Sequence, residues 1–336
     1  MHQAKVRRLL VICGPTATGK TGLALSLAKK FGGELVSADS RQVYKDLNIG
    51  TGKDLPKNSK FKKQGSGRPG YYQIGGVKVW GYDLVSAKKE FSVAQYVGVA
   101  EGIIEDIWSR KKLPILVGGT GLYIKGIIEG IPTASIPKNR IIRNSLKRKS
   151  VRELFDILAQ MAPIRAGSMN ISDRKNPRRL VRAIEIALWR LKSGSKVKRK
   201  KAGQGIRAQT LLVGLTAPKD FLCQRIKQRV KLRLEQGVEK EIKQLLKNGV
   251  SWENQSMDSL GYRQWRDYFE RKVAKEEVIR RWEKEECRYA KRQMTWFKKN
   301  KRINWFDISK PDYRKSVEKL VKKWYSTKDN ASAEKN

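Results

Sequence analysis

Histidine is almost missing from these 336 residues: the one copy is His2, at the amino end. Without a usable imidazole, any general base must be a carboxylate or a less usual group. Cysteine is scarce as well. Cys13, Cys223 and Cys287 are odd in number and far apart in sequence, which argues against a disulfide framework and against clustered zinc ligands, and fits a reducing cytoplasm. Long apolar runs are absent too. The only one near the amino end, "LLVIC", is five residues and leads straight into a glycine-rich turn, so neither a signal peptide nor a membrane span is expected.

Acidic residues are outnumbered, 32 Asp and Glu against 74 Lys and Arg, and the formal net charge is +42. Such a balance attracts polyanions by counterion release; RNA, DNA or an anionic membrane would each satisfy it, with nucleic acid the leading choice. A generally basic proteome would give the same composition. With 39% hydrophobic residues and nine Trp, the chain is not a disordered polycation. Its length suffices for one large domain or two smaller ones.

The apolar runs that do occur are short and alternate with helical patterns. "RRLLVIC", "GELVSA", "LPILV" (113–117) and "TLLVGLTA" (210–217) read as strands, and "TGLALSLAKKF" has apolar residues at helical spacing. Strands that are apolar throughout imply a parallel sheet covered on both faces, the α/β class. "YYQIGGVKVW" reads as a hairpin about Gly75–Gly76, and 57–70 as a polar, glycine-rich mobile stretch. Between Lys138 and Lys201 there are 20 Lys and Arg against 4 Asp and Glu, on patterns such as "RRLVRAIEIALWRL". This predicts a basic helical insertion over 126–205, closed by an unpackable loop, "KSGSKVKRKKAGQG". A discontinuous core is expected over 1–125 and 206–310, followed over 311–336 by a helix and a disordered tail.

"GPTATGKT", Gly14 to Thr21, has P-loop spacing and the required preceding strand and following helix. Glycines let backbone N–H groups turn toward an anion, Lys20 adds a point charge and Thr21 a ligand for Mg²⁺. Oligophosphate binding follows; hydrolysis does not. Asp39, in "SADSRQVY", ends a strand on the edge where the P-loop lies. An N-cap or Asx-turn residue, a Mg²⁺ ligand and a base that deprotonates a nucleophile all fit that position. "GGTGLY", 118–123, is a third strand end there, with Thr120 projecting a hydroxyl toward the same cleft or simply capping a helix.

"GPTATGKT", "DSRQVY", "NIGTGKD", "ILVGGTGLY", "RRLVRAIEI", "SLGYRQW" and "YAKRQMTWF" occur in the order and approximate spacing of the bacterial tRNA dimethylallyltransferases, which this chain resembles from about Leu10 to Asp307. The resemblance implies a P-loop kinase-like fold with a helical insertion that grips the anticodon stem-loop of tRNA. It implies transfer of a dimethylallyl group from dimethylallyl diphosphate to N6 of the adenine 3′-adjacent to the anticodon, releasing diphosphate.

By the same resemblance, Gly14, Pro15, Thr16, Ala17, Thr18, Gly19, Lys20 and Thr21 would bind diphosphate, with Mg²⁺ on Thr21. Asp39 would accept the N6 proton, and Thr120 would hydrogen-bond near the amine or the bridging oxygen. Asp39, Ser40, Arg41 and Gln42 match the contact with the target nucleotide. Arg225 or Arg229, with Arg229 favoured, matches an arginine that reaches the diphosphate. For tRNA, the matching segments are Arg178, Arg179, Leu180, Val181 and Arg182; Asp258, Ser259, Leu260, Gly261, Tyr262 and Arg263; and Lys291, Arg292, Gln293, Met294, Thr295, Trp296, Phe297 and Lys298. Arg140 or Arg143 occupies a further tRNA-contact position. The adenine is expected to be extruded from its stack into a channel between core and insertion. A monomer in the cytoplasm, with no membrane partner, is expected.

The chain also departs from the family. Arg178 stands where Gln is usual, Gly52 and Asp54 stand where Ala and Pro are usual, "VWGYDL" lacks the His-rich stretch of many members, and no cysteines exist for the eukaryotic zinc module. Rival readings are an adenylate isopentenyltransferase using free AMP, a kinase using the same loop on ATP, and a non-enzymatic RNA-binding protein.

Overall fold

A computed structural model of the chain describes residues 6–56, 59–65, 67–193 and 205–327. His2, most of the loop 192–205, parts of 57–70 and most of the tail after Ser326 lie outside the described residues. The chain divides into two compact units, Met1–Ile128 with Ile206–Asn336, and Glu129–Gly205.

The first unit is built on eight strands: β1 Arg8–Cys13, β2 Gly33–Ser37, β3 Phe61–Lys62, β4 Tyr71–Ile74, β5 Val77–Trp80, β6 Leu113–Gly118, β7 Gln209–Thr216 and β8 Asn304–Asp307. They lie in the order β3-β4-β5-β2-β6-β1-β7-β8. From β5 to β8 all pairings are parallel, while β3, β4 and β5 are antiparallel. The apolar runs behave as their composition requires. Along β1, Leu9, Val11 and Cys13 enter one core and Leu10 and Ile12 the other, because successive side chains point to opposite faces.

Helices cover both faces. α1 (Lys20–Phe31) packs on one. α2 (Val93–Ser109) and α3 (Gly121–Ile128) supply the other core with residues such as Tyr96, Ile104 and Tyr123. From β1 the chain moves through β2 toward β5; after β6 it crosses to β7 and β8. The reversal falls between β1 and β6, and in open α/β sheets ligands bind beyond the strand ends at such a point. Glu34 anchors β2. Burial would raise its carboxyl, but hydrogen bonds from Arg110, Lys112 and Trp80 outweigh that and hold it at about 2.

The second unit is helical: α4 Arg140–Leu146, α5 Val151–Met161, α6 Pro163–Gly167, α7 Ile171–Arg174 and α8 Pro177–Ser193. Leu146, Leu154, Leu158, Leu180 and Ile184 form its small core. Glu185 on α8 is buried there and accepts from the Asn139 amide (2.9 Å), Arg143 (2.7 and 2.8 Å) and Arg182 (3.2 Å).

Back in the first unit follow α9 (Lys219–Glu235), α10 (Val238–Lys247), α11 (Arg266–Phe269), α12 (Lys275–Phe297) and α13 (Tyr313–Ser326). Two features depart from the sequence reading. Phe61 and Lys62 pair with β4 where only a polar mobile stretch was expected; the Phe61 ring lies tilted against Tyr72, with ring centroids 5.2 Å apart. Cys223 and Cys287, distant in sequence, become neighbours as α9 packs on α12; burial first, and then Cys223, pushes the Cys287 thiol up to about 12. Among the described residues, no helix is long and apolar enough to cross a membrane.

Candidate active site

The strand ends expected to converge do so in a cleft of about 560 Å³. Its floor is the loop between β1 and α1. Gly14 has φ +135°, and a Cβ there would strike the Leu215 carbonyl, so β7 closes over the loop only because the side chain is absent. Gly19 starts α1 in the left-handed region without a side-chain cap, which leaves that helix N-terminus to an anion. Thr18 Oγ1 and Lys20 Nζ both donate to the Pro15 carbonyl, at 2.9 and 2.5 Å. Burial pushes the Lys20 ammonium down to about 8; Arg229 adds to the shift and Asp39 opposes it.

α9 supplies cations from the side. Arg225 Nε donates to the Ala17 carbonyl (2.8 Å) and Arg229 Nη1 to Thr16 Oγ1 (3.1 Å), so both arginines meet the loop. Spacing of four puts Arg233 on the same face, and it too lines the cleft. Sequence reading missed Arg233 and its partner Glu286, although that spacing could have signalled the first of them.

Beyond β2, Asp39 lines the cleft and its Oδ1 accepts the Arg41 amide at 2.8 Å, an Asx-turn bond that fixes the carboxylate. Beside this turn the Thr120 hydroxyl accepts the Ser40 amide (3.0 Å) and donates to Ser40 Oγ (3.3 Å), and Ser40, Gly118 and Gly119 line the cleft. Gln293 also lines the cleft; it is mostly buried and bridges two loops, accepting from the Thr16 amide and donating to the Gly119 carbonyl, both at 2.9 Å.

A family model described as IPP transferase matches residues 42–300, and one described as Isopentenyl transferase matches residues 7–65. A tRNA dimethylallyltransferase of Halothermothrix orenii is 36% identical over 318 residues, covering 94% of this chain and 92% of the relative. The chain belongs to the tRNA dimethylallyltransferase, or IPP transferase, family. A solved tRNA isopentenylpyrophosphate transferase from Bacillus halodurans is 31% identical, with TM-score 0.67 and 94% and 96% of the two chains covered. A eukaryotic dimethylallyltransferase, described as acting on tRNA, superimposes with TM-score 0.74 at 25% identity, covering 95% of this chain and 80% of the other.

Within this family frame, the expected RNA-facing segments divide by burial. Arg178, Arg179, Arg263, Lys291, Arg292, Thr295, Trp296 and Lys298 are exposed, and Val181, Asp258, Leu260 and Met294 partly so. Ser259 and Gly261 are buried, and Leu180, Tyr262 and Phe297 enter hydrophobic cores, where their side chains hold their segments from beneath. Arg182 donates to the Thr133 and Ile136 carbonyls (3.0 and 2.8 Å) as well as to Glu185. Arg143 is turned onto Glu185, while Arg140 is exposed.

Proposed function

We propose that this chain transfers the dimethylallyl group of dimethylallyl diphosphate to the exocyclic N6 of the adenine 3′-adjacent to a tRNA anticodon, releasing diphosphate. The observation that carries the reading is the shared cleft: a P-loop, two arginines bonded to that loop and the Asp39 carboxylate line one cavity. N6 attacks the allylic carbon, its new N–C bond forms as the C–O bond breaks, the electron pair leaves with diphosphate, and Asp39 takes the N6 proton. The N6 lone pair is delocalised into the ring, so a placed base contributes ~10²–10⁴-fold. The bond from the Arg41 amide presets that carboxylate.

As diphosphate departs, negative charge grows on its oxygens. Backbone amides of the loop Gly14–Thr21, where Pro15 alone has none to offer, together with Lys20 and Arg229 are preset donors for that charge and act most strongly in the transition state. Thr120, bonded to Ser40, steadies the turn that carries Asp39. Among the described residues no cluster of three metal-ligating side chains exists. The donor set suits Mg²⁺ held largely by substrate oxygens and water, with the Thr21 hydroxyl as its protein ligand. Such an ion would neutralise leaving-group charge.

Arg178, Arg179, Arg263, Lys291, Arg292 and Lys298 supply phosphate contacts for the anticodon stem-loop, with Trp296 a stacking surface. In this reading the enzyme acts as a monomer in the cytoplasm, where its tRNA substrate is; sedimentation with and without tRNA tests the monomer. The decisive experiment incubates purified protein with dimethylallyl diphosphate and unmodified tRNA, then weighs the nucleosides by mass spectrometry. An adenosine carrying the prenyl mass is expected. Unmodified tRNA, or a product formed on free AMP instead, would overturn the reading.

A further inference from the structure

Behind the ring of loop contacts lies a second charged layer that the proposed chemistry does not use. Arg233 is 4% exposed, donates Nη1 to Glu286 Oε1 at 2.7 Å, and lies with its guanidinium carbon 5.8 Å from the centre of the Trp282 ring. Arg233 Nε and Glu286 Oε2 are buried without a hydrogen-bond partner among the described residues. A buried pair left half-satisfied is a weak stabiliser, and apolar replacement of such pairs is often neutral or better. Packing alone therefore accounts poorly for it.

Its neighbour accounts for it better. A Cβ at Gly52, where φ is +63°, would collide with the Nη2 atoms of both Arg229 and Arg233, so the two guanidinium groups converge on one glycine. Asp54 Oδ2 lies 3.3 Å from Arg229 Nη2 on the outer side. Arg229 thus has the Gly52 backbone beside it and a like charge behind it, and the direction left open is toward Thr16 Oγ1. Burial first, and then Arg233, push the Arg229 guanidinium below its ordinary range, as that crowding requires. The departures at Gly52 and Asp54 belong to the same feature. Alanine at 52 would occupy the space of the two guanidinium groups, and proline cannot adopt the φ of +50° found at 54.

We propose that the Arg233–Glu286 pair is a positioning device for Arg229: it keeps that guanidinium from falling back and aims it at the P-loop, with Gly52 making room. The proposal rests on the diphosphate reading of the cleft. The test is calorimetric titration of inorganic diphosphate into the full-length protein in four forms: wild type, Arg233→Met/Glu286→Gln, Arg229→Met and the triple variant. Methionine keeps an unbranched stem without the charge. The paired swap is expected to weaken diphosphate about tenfold when Arg229 is present and less than about twofold when it is absent, the non-additivity of residues that act through one another.

Equal weakening in both backgrounds would mean that Arg233 touches diphosphate itself or merely loosens the fold, and either overturns the proposal. So does a swap without effect in wild type. If the paired swap fails to fold, Gly52→Ala replaces it in the same cycle, with the same expected dependence on Arg229. Wild-type protein that takes up no diphosphate sinks the functional reading along with this one. Uptake that is abolished by Lys20→Ala, with additive effects at 233 and 229, sinks only the positioning role.

Discussion

Two basic helices read alike in sequence and end in opposite uses. On α9, Arg229 makes two side-chain contacts, at 3.1 and 3.3 Å, and lines an open cleft beside a P-loop. On α8, Arg182 spreads over three backbone carbonyls and the buried Glu185 carboxylate. A guanidinium has five N–H donors in a fixed fork, and what it can do for a ligand depends on how many of them the fold has already occupied. The first arginine faces a cleft. The second is a clamp holding a small helical core, while its neighbours Arg178 and Arg179 are exposed, Arg179 in an ion pair with Asp173.

The contrast can be broken at its chemical end first. Asp39→Ala is expected to lower turnover ~10²–10⁴-fold while filter binding of tRNA stays as in wild type; near-normal turnover would remove the cleft as the seat of proton transfer. At the clamp end, Glu185→Ala strands two arginines and the Asn139 amide. The expected loss is ~2–3 kcal/mol, less than the ~3–5 kcal/mol of a fully buried pair because both arginines are partly exposed. Hydrogen exchange should rise over residues 139–192 with diphosphate uptake unchanged. Loss of that uptake would erase the distinction drawn between the two helices.

A smaller effect follows from Lys20. Its pKa of about 8 in the free protein means that the ammonium is fully present below that pH and is lost as pH rises through it. Diphosphate favours the charged form and restores a higher pKa, so binding takes up a proton above pH 8. Affinity for inorganic diphosphate should therefore fall by up to about tenfold per pH unit from there toward the ordinary lysine value. Lys20→Arg should flatten that fall, and a pH-independent affinity in wild type would contradict the assignment. The smallest effect separates Arg140 from Arg143. Arg140→Gln should reduce the salt slope of tRNA binding by about 1 with stability intact, whereas Arg143→Gln, cut from Glu185, should show mainly in the thermal midpoint.

Much of this was legible before any coordinates. The runs that became β1, β2, β6 and β7 are mostly apolar because both faces of a parallel sheet are buried, and that pattern is visible in the sequence, Glu34 in β2 being the buried charged exception. β8, "NWFD", and the two-residue β3 carry no such pattern, since edge strands owe their state to a neighbour's free backbone groups. The P-loop and Asp39 were legible because their chemistry is local. Tyr262 and Phe297 sit in basic, aromatic segments that look RNA-facing, and only packing shows that their side chains point inward.

Composition and local pattern by themselves determined the α/β class, the phosphate-binding loop, the want of a histidine base and the attraction to a polyanion. Each depends on residue type or on spacing within one element. The tertiary structure alone decided which arginines serve the cleft and which are spent on Glu185, that Thr120 turns to Ser40, and that Gly52 admits two guanidinium groups to one place. Those outcomes depend on atoms brought together from positions as much as 213 residues apart, as Arg229 and Thr16 are. Burial and like-charge proximity act through space, and no local pattern encodes them.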